Sequence, residues 1–415
     1  MLNLESLYTC NPSFAINSLT SDPDYYVNLV EGRGDDVVKQ LRRVIALSPN
    51  KPTFQFLAGH VGSGKTTELL RLKVGLEQQG FAVLYCSADE HLRIDDVGLT
   101  EIWLLILNLI LQQVEKKDES LSLAYLPKAI MEIEQWLGLS SSIGIASYTS
   151  RLQRILQTIQ DNAQQRRHLQ HHLEARLKNS LLAAGEDVTA IEVDRLKQLG
   201  KKGLVLLIDN LDRLTPKQAE SIFGDGGKYL RQLQCHIIYT LPLLAIATDV
   251  DPQKRLQQIL QMNKPIVLPC LVLRDRQGEI KPNVLNLLRQ VVLSRLLPNI
   301  SPDSRLEQVT NLFNHLETLD RLCLSSHGHL PYLLSLLYGC LQWQDLPIQM
   351  ETLTQILQID REMRLVAISD RDQQDLQTYI NSPHILTTES MNLCRRLLMF
   401  EHHDIDGKWF MSPFV

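Results

Sequence analysis

Five short apolar runs punctuate the chain: TFQFLA (53–58), FAVLYCSA (81–88), GLVLLIDN (203–210), CHIIYTL (235–241) and KPIVLPCLVL (264–273). They are continuous rather than alternating, as strands buried on both faces of a parallel sheet require. Around them the apolar positions recur at helical spacing. Val37, Val38, Leu41, Val44 and Ile45 mark a helix ahead of the first strand, and KTTELLRLKVGLEQQ (65–79) gives one after it. Strand, helix and strand in close succession make a parallel βαβ unit.

From about 96 to 200 the pattern is helical throughout, with Leu152, Ile155, Leu156 and Ile159 on one stripe and Leu169, Leu173, Leu177 and Leu181 on another. An amphipathic bundle packed on the sheet is expected here. After about 282 the chain turns helical again. Its last 70 residues run as helices and then two short strand-like segments around Asp406-Gly407, a hairpin signal that points to a winged-helix-like module. The expected organisation is a loop and helix over 1–50, an α/β core over 51–281 interrupted by the helical insertion, a helical lid over 282–345 and the terminal module over 346–415.

The 415 residues are 44% hydrophobic and 21% charged, an ordinary globular balance. A net charge of −5 gives no global pull toward nucleic acid or acidic membranes. The seven cysteines stand singly, which reads as reduced thiols in the cytoplasm. The start of the chain lacks the basic and apolar regions of a signal peptide. IWLLILNLILQQV, from Ile102, is shorter than the roughly 20 residues of a membrane span and is expected to be a core helix.

The chemistry begins where the first run breaks into glycines. Gly59, Gly64, Lys65 and Thr66 complete G-x-x-x-x-G-K-[ST] between a strand and a helix, the pattern of a phosphate-binding loop. Residues Gly59, His60, Val61, Gly62, Ser63, Gly64, Lys65, Thr66 and Thr67 are therefore expected to hold ATP. The amides of Gly62, Ser63, Gly64 and Lys65 would point inward at the helix start. Lys65, read as an exposed loop group satisfied only by phosphate, would reach the β- and γ-phosphates, and Thr66 would offer its hydroxyl to Mg²⁺.

Such a site needs a carboxylate at the end of a neighbouring strand, which LVLLIDNLDRL supplies in Asp209. Asp212 would position the attacking water, or else cap a helix or pair with Arg213. Asn210 follows Asp209 where a water-polarising Glu is usual, and an amide cannot take a proton, so slow hydrolysis is expected. Thr240, at the end of CHIIYTL, would sense the γ-phosphate. Arg255 is a candidate arginine finger, with an ordinary surface arginine as the alternative. His168, His171 and His172 have helical spacing but read as a solvated face. Residues 151–178 carry six Lys/Arg against two acids, either a solvated face or a nucleic-acid contact.

The chain resembles P-loop ATPases of the AAA+ and STAND type, most of all a poorly characterised bacterial family. That family carries GHxGSGKSTEL, DNLDR, YTxPL and a lid resembling SGGHxRDLLRLLR; the corresponding segments here are GHVGSGKTTEL, DNLDR, YTLPL and SHGHLPYLLSLLY. The resemblance runs from about Tyr25 to the C-terminus, including Trp409 and Pro413 of the terminal hairpin. It implies an AAA+-like parallel sheet with helices on both faces and a nucleotide-dependent switch, with a protein partner or self-association. The family's lid arginine is replaced by Pro331-Tyr332, which argues against efficient hydrolysis. A DNA-associated ATPase and a non-hydrolysing scaffold are the rival readings. Residues 346–415 hold six bases against ten acids, so DNA is not favoured.

Overall fold

The computed structural model describes residues 10, 23–48, 51–115, 125–139, 147–172, 178–246, 255–275, 277–366, 368–381, 393, 398–403 and 409–413. A helical turn, Val30–Arg33, ends at Gly34, whose φ of 87° reverses the chain. Helix α1 (Val37–Ala46) follows, started by Asp36, whose carboxylate accepts from the Lys39 N–H. Then come β1 (Phe54–Gly59), α2 (Lys65–Gln78) and β2 (Ala82–Ser87). Helices α3 (Leu99–Glu115), α4 (Leu126–Trp136), α5 (Tyr148–Asp161), α6 (Ala163–His172) and α7 (Lys178–Gln198) separate β2 from β3 (Leu204–Asp209). The core closes with β4 (His236–Leu241), α8 (Arg255–Met262) and β5 (Ile266–Leu268).

The five strands form one parallel sheet in the order β2-β3-β4-β1-β5. The form is α/β, a parallel sheet with helices on both faces, and the glycine loop leaves β1 between β4 and β5. Because successive strand residues face opposite sides, each apolar run divides between two cores. Phe56, Ala58, Leu204, Leu206 and Ile208 meet the helices inserted between β2 and β3. Leu57, Val205, Leu207 and Ile238 meet Leu41 and Ile45 of α1 and Leu69, Leu72 and Leu76 of α2. A fully buried leucine of this kind contributes roughly 1.5–3 kcal/mol.

Leu152, Ile155, Leu156 and Ile159 are all buried, as the stripe predicts, and α3 is a core helix. Of the second stripe, Leu169 and Leu181 are buried, while Leu173 and Leu177 lie outside the described residues. Val44 departs from the α1 stripe and is largely exposed. No helix among the described residues is long and apolar enough to cross a membrane.

One strand is shorter than its apolar run. β5 pairs with β1 only through Ile266, Val267 and Leu268. Pro269 follows and has no N–H to extend the ladder. Leu271 and Leu273 instead enter a separate apolar cluster built by α9 (Pro282–Leu296), α10 (Leu316–Ser325), α11 (Leu330–Trp343) and α12 (Met350–Val366). The C-terminal end comprises α13 (Asp370–Asn381) and the antiparallel pair β6 (Met399–His403) and β7 (Trp409–Pro413). Leu376, Leu393, Leu398 and Met399 form its core. Asp406 and Gly407 of the hairpin lie outside the described residues.

Candidate nucleotide site

The carboxyl ends of β1, β2 and β3 open into a cleft of about 750 Å³, roofed by α9 and α11. Its floor is the loop from Gly59 to Lys65. The glycines there are spatial requirements. Gly62 has φ 83° and a side chain at that position would strike His329 and Pro331, while Gly64 has φ 96° at the start of α2. A Cβ on Gly59 would lie 2.6 Å from the Leu268 carbonyl. The loop is thus held close to both β5 and the helical roof. Not every amide faces the cleft: the Ser63 N–H donates to the His60 carbonyl, 3.0 Å away.

Lys65 is not the exposed group the sequence suggests. It is 5% exposed, and its Nζ donates to the carbonyls of Gly59 (3.0 Å) and His60 (2.7 Å) and stands 3.0 Å from Asp212 Oδ2. An ammonium this far from water needs a counter-charge, and Asp212 supplies it. Asp212 therefore pairs with Lys65 rather than with Arg213, which faces Asp89 at 3.6 Å. Its second oxygen, Oδ1, is buried without a hydrogen-bond partner.

Asp209 is fully buried at the end of β3 and accepts from Tyr85 Oη at 3.0 Å and from the Asn210 N–H at 2.7 Å. The Thr66 hydroxyl also bonds to it. Burial raises the Asp209 pKa, against the lowering effect of the Thr66 and Asn210 bonds. Asn210 takes the left-handed conformation (φ 61°) and donates to Ser87 Oγ (2.7 Å) and Asp89 Oδ1 (2.9 Å). Its amide is committed to the end of β2 and can accept no proton from water.

Thr240 is fully buried, and its hydroxyl accepts from the Leu211 N–H at 2.8 Å. It fixes the backbone just after Asp209 and does not line the cleft. Arg255 is exposed on α8 and pairs with Asp225 at 2.8 Å, outside the cleft. The side chains of His168, His171 and His172 lie outside the described residues.

Two contributors escape sequence reading. Arg33, from the turn before α1, donates to Glu68 Oε1 at 2.8 Å and to the Ser63 carbonyl, so a cation stands beside the glycine loop. Its only signal is an arginine between two glycines just ahead of a capped helix. His329, the N-cap of α11, accepts from the Tyr332 N–H at Nδ1 (3.2 Å). That leaves Nε2 as the protonated nitrogen, donating to the Val61 carbonyl at 3.0 Å. Burial pushes its pKa down to about 4. Pro331 lines the cleft, and Tyr332 turns outward to donate to Asp360 on α12 at 2.8 Å.

The arrangement suits a bound polyphosphate. Lys65 and Arg33 bring positive charge to a glycine loop too tight for side chains, Thr66 and Asp209 form an oxygen pair fit for a hard cation, and Asp212 Oδ1 is left unsatisfied. Tyr25, Tyr26, Leu29 and Leu334 give the far end of the cleft an apolar and aromatic wall.

Among known proteins, no family description and no curated sequence matches the chain. Among solved structures the chain is similar to the ORC1 protein of Aeropyrum pernix, determined in complex with DNA. The match has 12% identity and a TM-score of 0.39, and covers 99% of this chain and 93% of the other.

Proposed function

We propose that the protein is a Mg²⁺-dependent ATP-binding switch that hydrolyses ATP slowly. The observation that carries this reading is the convergence, at one cleft, of a glycine loop, its lysine and Thr66, with the buried Asp209 bonded to the Thr66 hydroxyl directly behind it. In this reading the loop amides and Lys65 hold the phosphates, Thr66 and Asp209 hold the metal, and the aromatic wall takes the base. Mg²⁺, when bound, supplies charge neutralisation on the phosphate oxygens.

Phosphate and Asp212 compete for the same ammonium. Binding of a triphosphate draws Lys65 away from Asp212, freeing a carboxylate that is otherwise held in an ion pair. Asn210 supplies no base, so in this reading proton transfer from water falls to Asp212, which is first held by Lys65, and turnover is slow. The lid arginine of the resembling family has no counterpart at Pro331-Tyr332. Its coupling role falls to His329, which ties α11 directly to the loop carbonyl of Val61.

DNA association remains the weaker reading. In the basic stretch 151–178, Arg151 is taken up by Glu134 at 2.6 Å and Arg166 by Asp96 at 2.9 Å, and Arg166 is buried. Both are spent on internal structure and leave less charge for phosphate contacts.

Steady-state hydrolysis by the full chain tests the switch. The expected rate is far below one per second, with Asp209→Asn removing its Mg²⁺ dependence and Asp212→Asn lowering it further. Size measured with a slowly hydrolysed ATP analogue should differ from size without nucleotide. Rapid turnover would indicate a motor instead.

A further inference from the structure

A second cavity, of about 560 Å³, lies at the opposite end of the sheet, beside the amino ends of β1 and β4. That is within the roughly 300–1,000 Å³ of small-ligand sites. It exists because β5 is short. β1 has β4 along one side from Phe54 onward, but β5 meets it only from Leu57, so the outer edge of Phe54, Gln55 and Phe56 faces the cavity rather than another strand. Pro269 ends β5 on one side, and at the other end Lys264 and Pro265 lead in from α8 without pairing to β1.

The polar groups here are unmatched in one direction. Arg231 stacks on the Phe54 ring, with its guanidinium carbon 5.3 Å from the centroid. Its Nε and Nη2 are shut off from solvent and have no hydrogen-bond partner. Desolvation lowers its pKa. Lys264 stands at the rim, and among the described residues lining the cavity none is Asp or Glu. Gln55 is 8% exposed; its Nε2 donates to Thr53 Oγ1 at 3.3 Å, but its Oε1 meets no donor. Two positive groups without an acidic partner among the described lining residues, and apolar walls from Phe54, Leu233 and Ile237, together describe a missing occupant.

We propose that this cavity is a second ligand site, separate from the nucleotide cleft, for a small organic anion. A carboxylate or phosphate group would neutralise Arg231 and Lys264, and an apolar body would lie against Phe54 and Ile237. The site stands at the ends of the same β1 and β4 whose far ends carry the glycine loop and Thr240.

The test is calorimetric titration of the full chain with phenyl phosphate and, separately, phenylacetate, which share the anion-plus-ring chemistry and distinguish a phosphate from a carboxylate preference. Saturable binding of at least one, unchanged by excess ATP with Mg²⁺ and by Lys65→Ala, is expected. Arg231→Gln should weaken it at least tenfold without loss of fold by circular dichroism. No saturable binding of either probe, competition by ATP, or undiminished affinity in a folded Arg231→Gln protein would each overturn the proposal.

Discussion

Lys65 and Asp212 hold each other where neither has water to turn to. Removing one member of such a pair leaves the other buried and unpaired, typically at about 3–5 kcal/mol. Lys65→Met should therefore destabilise the nucleotide-free protein by about 3 kcal/mol in urea unfolding, and adding Asp212→Asn should recover part of that loss without restoring ATP binding. An equal loss in the double variant would mean that the pair carries no stability. Gly62→Ala meets two obstacles, a left-handed φ that costs about 1–2 kcal/mol and a Cβ placed 2.6 Å from His329 Nε2. It should lower the melting temperature and raise proteolytic cleavage of helices α9 to α11. The motif made the identity of these residues plain, but not their partners. Lys65 reads as exposed because its counter-ion lies 147 positions later, and Thr240 reads as a sensor because nothing local announces the Leu211 N–H that occupies its hydroxyl.

A neutral imidazole, His329, gives the hydrogen bond between α11 and the glycine loop. His329 has a folded pKa near 4 against an ordinary 6.5. Between those values the unfolded chain binds a proton that the folded chain does not, so stability falls as pH drops through 6.5 toward 4. The loss is about 2 kcal/mol at pH 5 relative to pH 7. His236 is also pushed to about 4 and His327 is lowered, so the parent's total acid sensitivity is larger. His329→Gln should lose less stability over that range than the parent by about the His329 share; identical pH slopes in urea titrations would remove His329 from the account. The strands and the α5 stripe were legible because burial on both faces, or on one face, writes a period into the sequence. β5 was over-read because an apolar run does not show where a proline ends the ladder. The role of His329 was hidden because a helix N-cap in the lid has no sequence link to the loop it touches.

Across the whole molecule the sheet and the helices α9 and α11 surround one cleft at the carboxyl ends of the strands, where open α/β sheets bind their ligands. With six bases against ten acids, residues 346–415 should give the full chain no more than weak duplex DNA affinity. Fluorescence anisotropy at physiological salt measures this directly, and submicromolar binding that disappears when residues 346–415 are deleted from the full chain would return DNA to first place. The switch reading rests above all on ATP occupying the cleft through Lys65. Calorimetric titration of the full chain with ATP and Mg²⁺, run beside a Lys65→Ala protein shown by circular dichroism to be folded, addresses it most directly. One saturable site in the parent and none in the variant is the predicted result; equally tight binding by the folded variant would contradict the account.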